Sequence, residues 1–178
     1  MTSERPDVRH TKLPLLPEAE DDEASIVRSD ITHDMLTFII DEEAYAFPLE
    51  HVREILKVKA ITPVPRAPFG VLGILSVRGK VTTVVDMRRL LRMPEPELTR
   101  HGRILLVHHG EEVIGVLVDR VVQVYRLLPD EIEHSPMVSG DLSDYVTGIG
   151  RPRGERDDTI DLIVLLDPTN LLRRGSHA

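Results

Sequence analysis

The chain of 178 residues is 41% hydrophobic and carries 30 acidic against 22 Lys and Arg residues, a formal charge of −8. That length suffices for one good-sized core or two small abutting ones, and no apolar run approaches the roughly 20 residues of a membrane-spanning helix. The acidic balance argues against nucleic acid as the main partner, the absence of cysteine excludes disulfides and thiolate chemistry, and an N-terminus without a secretory profile points to the cytoplasm.

Residues 1–30 hold several prolines and the acidic run Glu18, Glu20, Asp21, Asp22, Glu23, with too few spaced apolar residues for a core. They are expected to form a disordered tail; the alternative is a short element docking through Leu13, Leu15 and Leu16. From Met35 onward, short Val- and Ile-rich runs separated by turn residues predict an all-β domain over residues 31–173. The runs are Leu36 to Ile40, Tyr45 to Leu49, Val71 to Val77, Val81 to Val85, Ile104 to His108, Val113 to Val124 and Ile160 to Leu166. Residues 174–178 are expected to be a second short tail.

Between Pro63 and Pro68 the prolines preclude a full ladder of hydrogen bonds, so the segment reads as loop or extended edge, either a rigid spacer or a peptide-binding rim. Asp86 precedes Met87-Arg88-Arg89-Leu90-Leu91, and Asp167 precedes Pro168-Thr169-Asn170-Leu171-Leu172. Each carboxylate is placed to cap a short helix, and proline suits the first helical position. Within Val113 to Val124, Gly115 predicts a bulge or close backbone approach, and Asp119-Arg120 a bend between two strands.

An internal repeat runs through these elements. Glu42 to Ile55 aligns without gaps against Glu111 to Val124, and Val71-Leu72-Gly73-Ile74 ending in Arg78-Gly79 matches Val146-Thr147-Gly148-Ile149 ending in Arg153-Gly154. Both copies close with a strand, the capping aspartate and a Leu-Leu pair. Three matched blocks in one order predict two copies of a β unit of about 70 residues, enough for five or so short strands that escape exposed edges by curling into a small barrel. Two such barrels would abut and leave a groove for a partner.

Catalytic chemistry is hard to assemble from these residues. His108 and His109 alternate across a strand and read as a solvated hairpin tip, so no metal is assigned. Gly148-Ile149-Gly150 followed by Gly154 has the wrong spacing for a dinucleotide fingerprint, so no cofactor is assigned. No serine lies in a nucleophile elbow. Arg78 is different, because it sits in the apolar and small stretch Gly73 to Gly79. Two readings fit it: a guanidinium anchored by several acceptors to hold a loop, or one presented as a rigid bidentate donor to a partner. Glu54, beside Arg53, is either an exposed surface carboxylate or part of the same surface.

At these residues the chain resembles the CheW family of chemotaxis coupling proteins and CheW-like domains. The likeness runs from about Met35 to Leu172 and rests on Val52-Arg53-Glu54-Ile55-Leu56, Thr62-Pro63 to Pro68, Val71 to Gly79, Val84-Val85-Asp86, Gly115 to Asp119, Tyr145 to Gly150 and Leu165-Leu166-Asp167. It implies two intertwined five-stranded SH3-like β-barrels with short capping helices, and recognition without catalysis. The partners it implies are the regulatory domain of a CheA-type histidine kinase and the cytoplasmic tip of a methyl-accepting chemoreceptor. The expected setting is a membrane-associated receptor array, with ring-forming self-association left open and neither nucleic acid nor membrane insertion involved. Carried over by motif, Val52, Glu54, Ile55, Arg78, Gly79, Val118 and Val121 are the candidate protein-binding residues. An apolar strip would take a helix face while a fixed charge sets its register. One departure stands out: Ser76 occupies a position where the family usually has asparagine. Competing readings are a CheW-like module in a different signalling complex, and a small-ligand sensor with its site between the barrels.

Overall fold

A computed structural model describes residues 31–94, 100–134, 144–153 and 160–175. The expected acidic tail at 1–30 lies outside the described residues. The strands are β1 (His33–Ile40), β2 (Glu43–Pro48), β3 (Val52–Lys57), β4 (Val71–Val77), β5 (Lys80–Asp86), β6 (Arg103–His109), β7 (Glu112–Val118), β8 (Arg120–Leu127), β9 (Ile132–His134), β10 (Val146–Gly150) and β11 (Ile163–Leu166), with helices α1 (Met87–Leu90) and α2 (Pro168–Gly175). Both helices start where the aspartates predict. Asp86 Oδ1 accepts from the Arg88 amide at 2.9 Å, and Asp167 Oδ1 from the Thr169 amide at 2.8 Å. The helix α2 reaches Gly175, two residues beyond the expected boundary at 173.

The strands form two sheets, ordered β8-β1-β2-β11-β10-β9 and β3-β6-β7-β5-β4. The chain passes from the first to the second at the 3-10 turn Leu49–His51 between β2 and β3, and back again at Asp119. The bend expected at Asp119-Arg120 is therefore the crossing between barrels. Gly115 marks a close approach and not a bulge, since a Cβ there would lie 2.9 Å from Ile104 Cγ2.

The repeat in the sequence becomes a pseudo-two-fold in the structure. Val84 pairs with Gly115 in the parallel β5–β7 ladder and Leu165 with Ala46 in the parallel β11–β2 ladder, at positions equivalent in the two copies. Gly73 pairs with Val84 and Gly148 with Leu165, each just after a register shift. The copies differ in one strand. Where β9 pairs with β10 in the second, the first has a single bridge between Thr62 and Ile74, so one sheet has six strands, one more than expected, and the other the expected five. The prolines that follow Thr62 account for this, since they cannot donate to a ladder.

Alternation along the inner strands serves two cores at once. Leu36, Phe38 and Ile40 of β1, Tyr45 and Phe47 of β2, Leu105 and Val107 of β6, and Ile114, Val116 and Val118 of β7 point into one cluster between the barrels. The intervening residues Met35, Ile39, Ala44 and Ala46 face the core of the six-stranded barrel, and Ile104, Leu106 and Leu117 that of the five-stranded one. Outer strands pack on the same cores: Leu56 of β3 and Val77 of β4 meet in the second, Val122 of β8 and Ile132 of β9 in the first. Each sheet thus curls until its margins share one interior.

At Gly73 (φ 157°) a Cβ would fall 2.3 Å from the Thr62 carbonyl oxygen, whereas at Gly79 (φ 80°) it would meet nothing within 4 Å. Gly73→Ala should therefore lower stability by about 2–4 kcal/mol, and Gly79→Ala by only about 1 kcal/mol, read from urea unfolding midpoints. Tyr45 is buried and donates to Glu43 Oε2 at 2.7 Å; burial first, then that bond and charge, push its phenol well above its ordinary 10.0. A folded phenol that keeps its proton longer than the unfolded one stabilises fully below the unfolded value, and that contribution is lost as pH rises past it. Unfolding measured between about pH 8 and about pH 11 should show an alkaline decline that is shallower in Tyr45→Phe.

Candidate functional site

The two-residue turn between β4 and β5 is Arg78-Gly79, with φ of 50° and 80° and Val77 paired with Lys80 across it. Positive φ at both positions is the type I′ hairpin geometry, which favours Asn-Gly. An arginine in that conformation costs about 1–2 kcal/mol. Its side chain is 77% exposed, and its one charged contact among the described residues is from Nη2 to Glu54 Oε1 at 2.9 Å, with Glu54 30% exposed. A surface pair of this kind returns about 0.2–1 kcal/mol. Stability alone does not account for arginine at this turn. The pair does fix direction, because Glu54 stands opposite Leu106, whose side chain fills the barrel interior. The carboxylate therefore sits at the barrel rim and orients the guanidinium, which leaves most of its donors facing solvent.

The remaining candidates fall around the seam between the barrels. Val52 pairs with Val107 and Val121 with Phe38, and both pack on the margin of the inter-barrel core. They are equivalent positions in the two copies, each near the start of an outer strand. Ile55, opposite Leu105, is 43% exposed; its counterpart Val124, opposite Leu36, is 38% exposed. Val124 is a residue the motif reading passed over, although the gapless alignment of Ile55 with Val124 carries the signal. Val118, expected among the protein-binding residues, is 1% exposed and lies inside the core, so it has no surface to offer a partner. Gly79 supplies backbone freedom to the turn. The structure thus brings Glu54, Arg78 and Gly79 together, sets Val52, Ile55 and Val121 along the seam, and buries Val118.

A second charged cluster, not foreseen from the sequence, fastens the return crossing. Arg88 of α1 is buried, and its Nε and Nη2 reach both oxygens of Asp119 at 2.5–3.1 Å. Its Nη2 also meets Asp41 Oδ1 at 3.3 Å and its Nη1 the Pro94 carbonyl at 3.0 Å, while the Asp41 amide donates to Asp119 Oδ2 at 2.8 Å. The hydrogen bond to Asp119 raises the Arg88 pKa against the opposing effect of burial. One guanidinium ties a helix of the five-stranded barrel to the crossing and to the β1–β2 turn of the other barrel. The histidines at the β6 end do not converge: His108 is exposed and His109 half-buried. Among the described residues, no group of three His, Cys, Asp or Glu is placed to hold a metal ion, and no helix is long and apolar enough to cross a membrane.

Two barrels that share a core and present an exposed charge on a tight turn offer the surfaces of a scaffold, a protein that holds others in place. A model of the CheW-like domain matches residues 34–176. The chain is 31% identical over 114 residues to the chemotaxis protein CheW of Helicobacter pylori, covering 64% of this chain and 69% of that one. It is 32% identical over 102 residues to CheW of Bacillus subtilis, covering 57% and 65%, and 27% identical over 120 residues to protein FrzA of Myxococcus xanthus, covering 67% and 75%. The crystal structure of the scaffolding protein TtCheW from Thermoanaerobacter tengcongensis superposes with a TM-score of 0.70 at 26% identity, over 79% of this chain and 92% of that chain. The chain belongs to the CheW-like family and is, like the CheW proteins it matches, a non-catalytic scaffold, and its two barrels are of the SH3-like type expected.

Removing Arg88 leaves the Asp119 carboxylate half-buried with a single amide donor. Arg88→Ala should cost about 2 kcal/mol, seen as a lower urea midpoint, and Asp119→Asn should destabilise as well, because both carboxylate oxygens accept there and the amide would set a donor against Arg88 or the Asp41 amide.

Proposed function

We propose that this protein couples a chemoreceptor to a CheA-type histidine kinase, with the Glu54–Arg78 pair as the charged element of its docking surface. The observation that carries this reading is Arg78 itself. An arginine held in a strained turn, 77% exposed and oriented by one carboxylate, is better suited to a partner than to the fold. Along the seam, Val52, Ile55 and Val121 supply apolar margin suited to a helix face, while the guanidinium would fix register by charge. Membership of the CheW-like family supports the same assignment. Recruitment to a membrane-associated array would follow from receptor binding and needs no lipid contact by this chain.

The test is binding of the purified protein to the regulatory domain of the kinase encoded in its own genome, with and without the cytoplasmic tip of a cognate receptor. Saturable binding to both is expected. Binding to neither would overturn the coupling role and favour a CheW-like module serving a different complex. Arg78→Asn separates function from folding, because Asn-Gly is the residue pair this turn prefers. Its unfolding midpoint should equal or exceed that of the parent, while affinity for one of the two partners falls by roughly tenfold or more. Arg78→Ala should likewise fold, and a large loss of thermal stability in it would mark Arg78 as purely structural.

A further inference from the structure

The chain falls into halves, residues 31–94 holding β1 to β5 with α1 and residues 100–175 holding β6 to β11 with α2. Neither half builds a barrel of its own. The six-stranded sheet takes β1 and β2 from the first half and β8, β9, β10 and β11 from the second; the five-stranded sheet takes β3, β4 and β5 from the first and β6 and β7 from the second. Every ladder that joins one hairpin to the rest of its sheet runs between halves: β1 with β8, β2 with β11, β3 with β6, and β5 with β7.

Taken alone, the first half retains only the β1–β2 and β4–β5 hairpins, with β3 laddered to neither. The second retains the β6–β7 hairpin and the β9-β10-β11 meander, with β8 left over. Isolated hairpins are marginal in water, and their open edges and bare apolar faces favour pairing with another chain. The cores divide in the same manner. The inter-barrel cluster draws Phe38, Tyr45 and Met87 from one half and Leu105, Val116 and Leu171 from the other, and both barrel cores are also mixed.

We infer that the two halves are specific binding partners of each other, so that the native two-barrel fold assembles from them without a covalent connection. The connection between Pro94 and Arg100 raises the effective concentration of one half for the other and adds no ladder among the described residues. The pseudo-two-fold makes this equivalent to an exchanged dimer whose two chains have been joined.

The test uses the full chain with a protease recognition site placed between Pro94 and Arg100 and cut after folding. The two pieces should elute as one species with the sheet signal of the uncut protein. After separation in denaturant, neither piece alone should regain that signal as a monomer, and mixing should restore it. The unfolding midpoint of the cut protein should also fall on dilution, a tenfold dilution being worth about 1.4 kcal/mol, whereas that of the uncut chain should not move. Pieces that part and remain folded monomers, or separated pieces that fail to regain the native sheet when mixed, would overturn the inference.

Discussion

Between the two barrels lies the largest of three buried clusters among the described residues, 17 side chains against eight and five in the barrel interiors. A barrel with five to eight buried side chains removes too little apolar surface from water to offset the ordering of its strands. The shared cluster supplies what each lacks, and it does so because β1, β2, β6 and β7 are apolar on both faces. In these strands one set of alternating residues closes a barrel while the other welds it to its neighbour. The interior of the seam is therefore packed, and a docking strip exists only along its margins, where the outer strands β3 and β8 leave Ile55 and Val124 in contact with water.

This arrangement makes the candidate surface stiff. β3 is laddered to β6, whose Leu105 and Val107 are locked in the common core, so Val52, Glu54 and Ile55 inherit their positions from residues on the far side of the chain. Arg78 is held from two directions, by the left-handed backbone of its own turn and by Glu54 across the barrel mouth. Arg88 adds a fastening of another kind, joining both barrels where the chain returns across the seam. Pre-ordering of this sort lowers what a partner must spend on immobilising side chains, in keeping with a protein whose work is to hold other proteins in register.

The sequence made some of this legible and hid the rest for physical reasons. Apolar runs exposed the inner strands because those strands are buried on both faces, and the capping aspartates marked both helices because an N-cap is a local interaction. Asp119 announced a bend because a charge cannot continue an apolar strand into a core. By contrast β3 escaped the list of runs, since an outer strand alternates half-buried with exposed residues and here includes Arg53 and Glu54. The exchange of strands between copies could not be read from the repeat, and only the family resemblance implied intertwined barrels. A repeat says that Ala46 and Gly115 are equivalent, but not that Leu165 pairs with the first and Val84 with the second. Arg88 was missed for the same reason, as its carboxylate partners lie 31 and 47 residues away.

Duplication supplies an internal comparison, because two copies of one unit share a geometry against which their differences can be set. At the helix start one copy has Arg88 and the other Thr169; at the crossing one has Asp119 and the other Glu50, so only one of the two junctions is fastened by a buried guanidinium. On the outer strands Arg126 meets Asp34 at 2.9 Å in one barrel, whereas the opposed residues in the other are Lys57 and Arg103. The Arg-Gly element recurs with its anchoring inverted. In the second copy the main chain of Arg153 is tied to the buried Glu131 carboxylate at 2.7 Å and its guanidinium to Asp130 at 2.7 Å, whereas in the first copy a strained turn carries Arg78 and a rim carboxylate aims it. The copy with the strained turn is the one whose arginine has no comparable backbone anchor, which accords with the proposal that the direction of the Arg78 side chain serves a docking surface.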